Sequence, residues 1–72
     1  MKAPRFLIEY AKYQKREAEK LEKAFPENSR IYQAASRCCD RAVQSYERGY
    51  ITIKEAMTLI TEAFSRAVEW ED

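Results

Sequence analysis

Gly49 is the only glycine in this chain of 72 residues, and Pro26 is the only proline beyond the first four. Everything between these two breakers, and on either side of them, is free to be helical. A proline pushes the residue before it out of helical geometry, and a glycine most readily takes the left-handed conformation that closes a helix. The chain is therefore punctuated for three helices, over about residues 4–25, 29–48 and 52–70.

The apolar spacing inside each stretch agrees. In the first, Leu7, Ala11, Ala18, Leu21 and Phe25 recur at gaps of three, four and seven residues, with Gln14 standing at the one polar position of the seam. In the second, Ile31, Ala35, Cys38, Cys39, Ala42, Val43 and Tyr46 form an arc of mostly small side chains, which lets a neighbouring helix come close. The third places Ile53, Ala56, Met57, Leu59, Ile60, Ala63, Phe64, Ala67, Val68 and Trp70 around about half its circumference, an arc wide enough to need two neighbours.

Start and stop signals sit at the expected joints. Pro4 suits a first turn, where its missing N–H costs nothing. Asn28 or Ser29 can cap the second helix, and Gly49 closes it. Thr52 and Glu55 have the spacing of a capping box, with Ile51 and Ala56 at the positions of a hydrophobic staple. Both links are short, so each helix should run antiparallel to the one before. The expected architecture is an all-α, up-down-up three-helix domain filling residues 1–72.

Composition bounds what such a domain can do. At 46% hydrophobic and 35% charged it is too apolar for a disordered segment and too charged for a membrane one. A domain of this size buries only about 60% of its unfolded surface, so self-association is an expected remedy. The net charge of +1 gives no overall field, but it is unevenly spread: seven basic and four acidic side chains over residues 1–26, four and three over 27–49, two and five over 50–72. The last helix should accordingly attract the first. The N-terminus, MKAPRFLIEYAKYQK, has no signal-peptide core, and no run approaches the ~18 apolar residues of a membrane span. Cys38 and Cys39, adjacent on a helix, point about 100° apart and are poorly placed to bridge each other. With no histidine and no other thiol, zinc is out of reach within one chain, no cofactor is implied, and a reducing cytoplasm is the simplest setting.

The stretch Gly49-Tyr50-Ile51-Thr52-Ile53-Lys54-Glu55 resembles the second half of a calcium-binding EF-hand loop, with its glycine, its isoleucine and its terminal glutamate in register. The first half of such a loop would fall on Gln44, Tyr46 and Arg48, where an arginine repels the cation. A glycine stop followed by a capping box accounts for every residue, and no metal site is expected. Nor is a catalytic one. The usual general base is absent, and neither cysteine has a dedicated partner to activate it; Asp40 beside Cys39 would raise its pKa. At least one thiol should be a buried, inert core residue, and the other could lie at a partner contact.

Two surfaces remain. Arg30, Arg37, Arg41 and Arg48 fall within about 40° on a helical wheel, and Gln33 and Gln44 extend the stripe. Such a stripe is either an ordinary solvated face or a seat for carboxylates or phosphates. A looser basic face on the first helix, Lys12, Arg16, Lys20 and Lys23, is interleaved with Glu9, Glu17 and Glu19 and reads as solvated. Phe6, Tyr10 and Tyr13 form an aromatic flank beside the first helix's seam, and Tyr32, Tyr46 and Tyr50 supply another set. These rings either extend a thin core or face a partner. The function expected is a non-enzymatic protein-interaction module that blocks a macromolecular partner. Compact chains complete from their first methionine are typical of phage and mobile-element regulators and inhibitors, of which an anti-CRISPR is one form. The alternative is a nucleic-acid-binding accessory protein using the arginine stripe.

Overall fold

The computed structural model describes residues 2–71, with side chains as far as Glu69. Among them the chain forms four α-helices, α1 (Arg5–Ala24), α2 (Ser29–Glu47), α3 (Ile53–Thr61) and α4 (Ala63–Glu71), with a 3-10 turn over Pro26–Asn28 between the first two. The helical class and the two breakers are as expected. The number of helices is not: the third expected helix is divided at Glu62 into α3 and α4.

The ends of α1 and α2 follow from local chemistry. Pro4 is the N-cap of α1, extended at φ −66° and ψ 153°, and its carbonyl accepts from Leu7 N–H at 3.1 Å and Ile8 N–H at 3.2 Å. Pro26 forces Phe25 out of the helix to φ −132° and ψ 70°. Phe25 consequently turns away from the seam it was expected to extend and is exposed. Asn28 holds the N-cap position of α2, but its side chain makes no capping bond. At the other end Gly49 has φ +80°, its N–H reaches the Tyr46 carbonyl at 3.0 Å and Tyr50 N–H reaches Ser45 at 2.9 Å. These two bonds are the Schellman closure, and only a residue tolerant of positive φ makes it without strain.

The start of α3 is the capping box. Glu55 N–H donates to Thr52 Oγ1 at 3.1 Å and Thr52 N–H donates to Glu55 Oε1 at 2.9 Å, while Ala56 of the staple pair is fully buried. Two turns later the helix bends. Thr58 and Thr61 donate their hydroxyls back to the Lys54 and Met57 carbonyls at 3.0 and 2.8 Å, a pattern that weakens and curves a helix. Glu62 then drifts to φ −94° and ψ 9°. Helical bonds survive on both sides of it, Glu62 N–H to Thr58 and Arg66 N–H to Glu62, each 2.9 Å. The carbonyls at the bend are met from other helices: Gln14 Nε2 donates to Ile60 O at 3.2 Å and the Cys38 thiol to Leu59 O at 3.9 Å. A polar side chain inserted at the carbonyl ladder is a recognised cause of a kink, and the polar gap in the α1 seam is the residue that does it.

Helix α2 packs against all three others, whereas α1 touches α2 and α3 but, among the described residues, not α4. Cross-contacts set the directions. Ala3 N–H donates to Glu47 Oε2 at 3.2 Å, Lys15 pairs with Asp40 at 3.0 Å, and Gln33 Nε2 donates to Glu22 Oε2 at 2.8 Å, so α1 and α2 are antiparallel. Cys38 against Leu59 and Tyr32 against Phe64 make α2 antiparallel to α3 and α4 as well, and α1 and α3 therefore run the same way. The acidic last segment lies on α2 rather than on basic α1, contrary to the attraction expected from charge, because the bend swings α4 aside.

The buried cluster is Ala3, Leu7, Ala11, Ala34, Ala35, Cys38, Cys39, Ala42, Ala56, Ile60, Ala63 and Ala67. Leu7 and Ile60 are its only large aliphatic side chains, and Ile31, Val43 and Tyr46 of the expected α2 arc are half-buried around it. The Cα envelope measures 37 × 23 × 14 Å. Its shortest dimension is that of two helices in contact, with axes about 8–10 Å apart and Cα radii of about 2.3 Å, so there is one thin layer of core. The assignment of Trp70 to the third apolar arc lies outside the described side chains.

If the Gln14 amide satisfies the bend, Gln14→Leu removes that donor and leaves the part-buried Ile60 carbonyl with only the Glu62 N–H, which it shares with the Thr58 carbonyl. The expected loss is about 1 kcal/mol, the low end for an unsatisfied buried acceptor, read as a lower urea midpoint at unchanged m-value. An unchanged midpoint would show that the bend does not depend on this bond.

Candidate functional site

The bend leaves Val68 of α4 without a neighbour on α1, while the other open apolar side chains lie on α1 and α3 themselves. Tyr10 Oη and Thr61 Oγ1 lie 2.7 Å apart and clasp α1 to the end of α3. On α1, Phe6 and Tyr13 are within about 60° of Tyr10 by helical rotation, and on α3–α4 Met57, Phe64 and Val68 fall within about 60° of Thr61. Because the two helices run the same way, Phe6 stands one turn before the clasp as Met57 does, and Tyr13 follows it at the level of Phe64. Tyr10 and Phe64 reach the core and are half-buried. Phe6, Tyr13, Met57 and Val68 do not, and keep 55, 54, 37 and 46% of their surface exposed.

The aromatic flank expected from the sequence is thus split, with Tyr10 a structural clasp and Phe6 and Tyr13 open surface. Met57 and Val68 join them, although the sequence assigned both to the core arc of one straight helix. With α4 turned away from α1, only part of that arc finds a neighbour. The adjacent back-bonding threonines, Thr58 and Thr61, were the one local sign of a bend.

The arginine stripe lies elsewhere. Arg30, Arg37, Arg41 and Arg48 are all exposed along α2 and its C-cap, and none of their guanidinium groups makes an ion pair or hydrogen bond among the described residues. Gln33, at the edge of the stripe, is drawn to Glu22 of α1. The ion pairs of α1 include Arg5 with Glu9 at 3.0 Å and Lys20 with Glu17 at 3.6 Å, and surface pairs of this kind contribute little to stability. An open hollow of about 340 Å³ on the outer side of the bend is lined by Ile51, Lys54, Glu55, Thr58, Leu59 and Arg66. Its cations stand beside Glu55 and Glu62, the latter 3.6 Å from Arg66 Nη2, so it carries no net charge to select a ligand.

Both cysteines are buried and free, Cys38 at 4% exposure and Cys39 at 1%; the partner-contact option for the second thiol is corrected. Burial raises the Cys38 thiol, with Arg66 and then Arg41 opposing. Burial, the neighbouring Cys38 and Asp40 together push Cys39 from 9.0 up to about 11. Thiols held protonated are poor nucleophiles. The loop that resembles half an EF-hand has its glutamate Oε1 engaged by the Thr52 N–H, and no group of three or more metal-ligating side chains occurs among the described residues. No helix of the described residues is long and apolar enough to cross a membrane. Comparison with protein-family models, curated proteins and solved structures finds no match for this chain.

The Cys39 environment has a measurable consequence. A thiol whose pKa is higher folded than unfolded contributes stability that is whole below the unfolded value and lost as pH rises through the folded one. Chemical denaturation should therefore be insensitive to this group up to about pH 9 and weaken between 9.0 and about 11. Cys39→Ala should show a shallower decline over that window than the parent chain. Equal slopes would mean that the thiol is not held protonated by the core.

Proposed function

We propose that this chain is a non-enzymatic protein-interaction module that works by covering a surface of another macromolecule, as small phage and mobile-element regulators and inhibitors do. The observation that carries this reading is the strip of large apolar side chains left open around the Tyr10–Thr61 clasp: Phe6, Tyr13, Met57 and Val68. Scattered surface apolar residues need no explanation, but a grouped set marks a contact. Tyrosine, phenylalanine and methionine are also the types enriched where proteins meet. Free, buried thiols suit a reducing compartment, and a cytoplasmic setting belongs to the same proposal.

The test compares capture by the tagged chain and by Phe6→Ser/Tyr13→Ser, both checked for equal helicity and melting. A specific protein retained by the first and lost by the second is the expected result. Equal recovery by both, or no specific protein, overturns the reading.

A second reading is favoured by the four exposed, unpaired arginines of α2. A row of forks without intramolecular acceptors can take phosphates, which would make the chain a nucleic-acid-binding accessory protein. Under this reading a mobility-shift titration shows binding at low salt that weakens steeply as salt rises. Arg37→Ala/Arg41→Ala should then lower the slope of log affinity against log salt by about 2. No binding at low salt eliminates it.

A further inference from the structure

We infer that the open strip is a homodimer interface, in which a two-fold axis parallel to the helices lays α1 of one copy over α3 and α4 of the other. The inference rests on the interaction-module reading and names the occupant of its surface.

Three observations point to a second copy. The first is charge. Helix α1 carries six basic and four acidic side chains, whereas the stretch from Ile53 to Glu71, α3 and α4 with Glu62 between them, carries two basic and four acidic. The apolar strip runs along the seam between these oppositely charged halves. A two-fold axis parallel to the helices exchanges left for right, so each basic α1 meets an acidic α3–α4. An axis across the helices instead sets basic on basic and acidic on acidic. Arg16 and Lys20 continue α1 beyond Tyr13, and Glu69 follows Val68 on α4; all three are exposed. In the first arrangement they approach at the same level, within the ~8–10 Å over which exposed charges act.

The second observation is that the strip is self-complementary in kind. Its two edges hold matched steps, Phe6 with Met57 before the clasp and Tyr13 with Phe64 after it, so an exchange of edges sets apolar against apolar at both levels. An isologous contact requires this of a surface. The third is the thinness of the core. An envelope 14 Å deep has room for one buried layer, in which Leu7 and Ile60 are the only large aliphatic side chains. Stacking two copies on this face adds a second layer from Phe6, Tyr13, Met57 and Val68, and small domains commonly gain stability by such association.

Light scattering and sedimentation of the purified chain, from micromolar to millimolar concentration, test this without any outside partner. The expected result is a monomer–dimer equilibrium whose dissociation constant rises about tenfold or more in Phe6→Ser/Tyr13→Ser and in Val68→Ser. Arg16→Glu/Lys20→Glu should also weaken the dimer, and adding Glu69→Lys in the same chain should restore it. With the axis across the helices, reversing α1 alone exchanges one like-charge contact for another and leaves the constant unchanged. Circular dichroism on each variant guards against unfolding, and all the substituted side chains are exposed. A monomer throughout, a dimer indifferent to the strip, or charge reversal without effect overturns the inference. A monomeric chain that still captures a protein through Phe6 and Tyr13 refutes the dimer and leaves the interaction reading standing.

Discussion

The carbonyl oxygens of Leu59 and Ile60 sit where the third helical stretch bends, and the rest of the molecule is arranged around how they are met. A helix can leave its ladder only if the freed groups find donors. Here the donors come from two other helices, the Gln14 amide from α1 and the Cys38 thiol from α2. The bend and the packing of α1 and α2 therefore stand or fall together.

The surface follows from the same packing. The alanine-rich arcs of α2, α3 and α4 close tightly around Ile60 and Leu7, because small side chains let backbones approach and leave little volume to fill. The larger apolar residues of the same helices lie at the edges of these arcs. Some reach inward, as Tyr32 and Phe64 do in an edge-to-face contact at 6.3 Å. Phe6, Tyr13, Met57 and Val68 are left at the rim. A domain that spends its close contacts on alanine necessarily places its bulk outside, and an exposed strip beside a thin core is the result.

Charge is organised on the same scale. The arginine stripe of α2 shares no residue with the apolar strip, and Asp40 and Gln33 at its margin are tied to α1. The chain thus offers two separate chemistries, an apolar face flanked by opposite charges and an exposed cationic row. Neither requires a reactive group, and the cysteines, the one pair of nucleophiles in the core, are held protonated by burial.

Much of this was legible in the residues alone. Pro26, Gly49 and the Thr52–Glu55 box fixed where helices end and begin, since their bonds close within a few residues and do not depend on what lies across the domain. The buried seam from Leu7 to Ala18 and the core face of α2 followed from periodicity for the same reason, as did the position of the arginine stripe. What the residues marked only by the spacing of Thr58 and Thr61, or not at all, was the division at Glu62, the exposure of Met57 and Val68, and the role of Tyr10 as a clasp. Each depends on a group from another helix arriving within hydrogen-bonding distance, Gln14 at Ile60, Cys38 at Leu59 and Tyr10 at Thr61. The sequence by itself determined the helical class and its punctuation. Only the tertiary structure decided which apolar side chains the core would leave outside, because that depends on the angle between helices and not on the period within one.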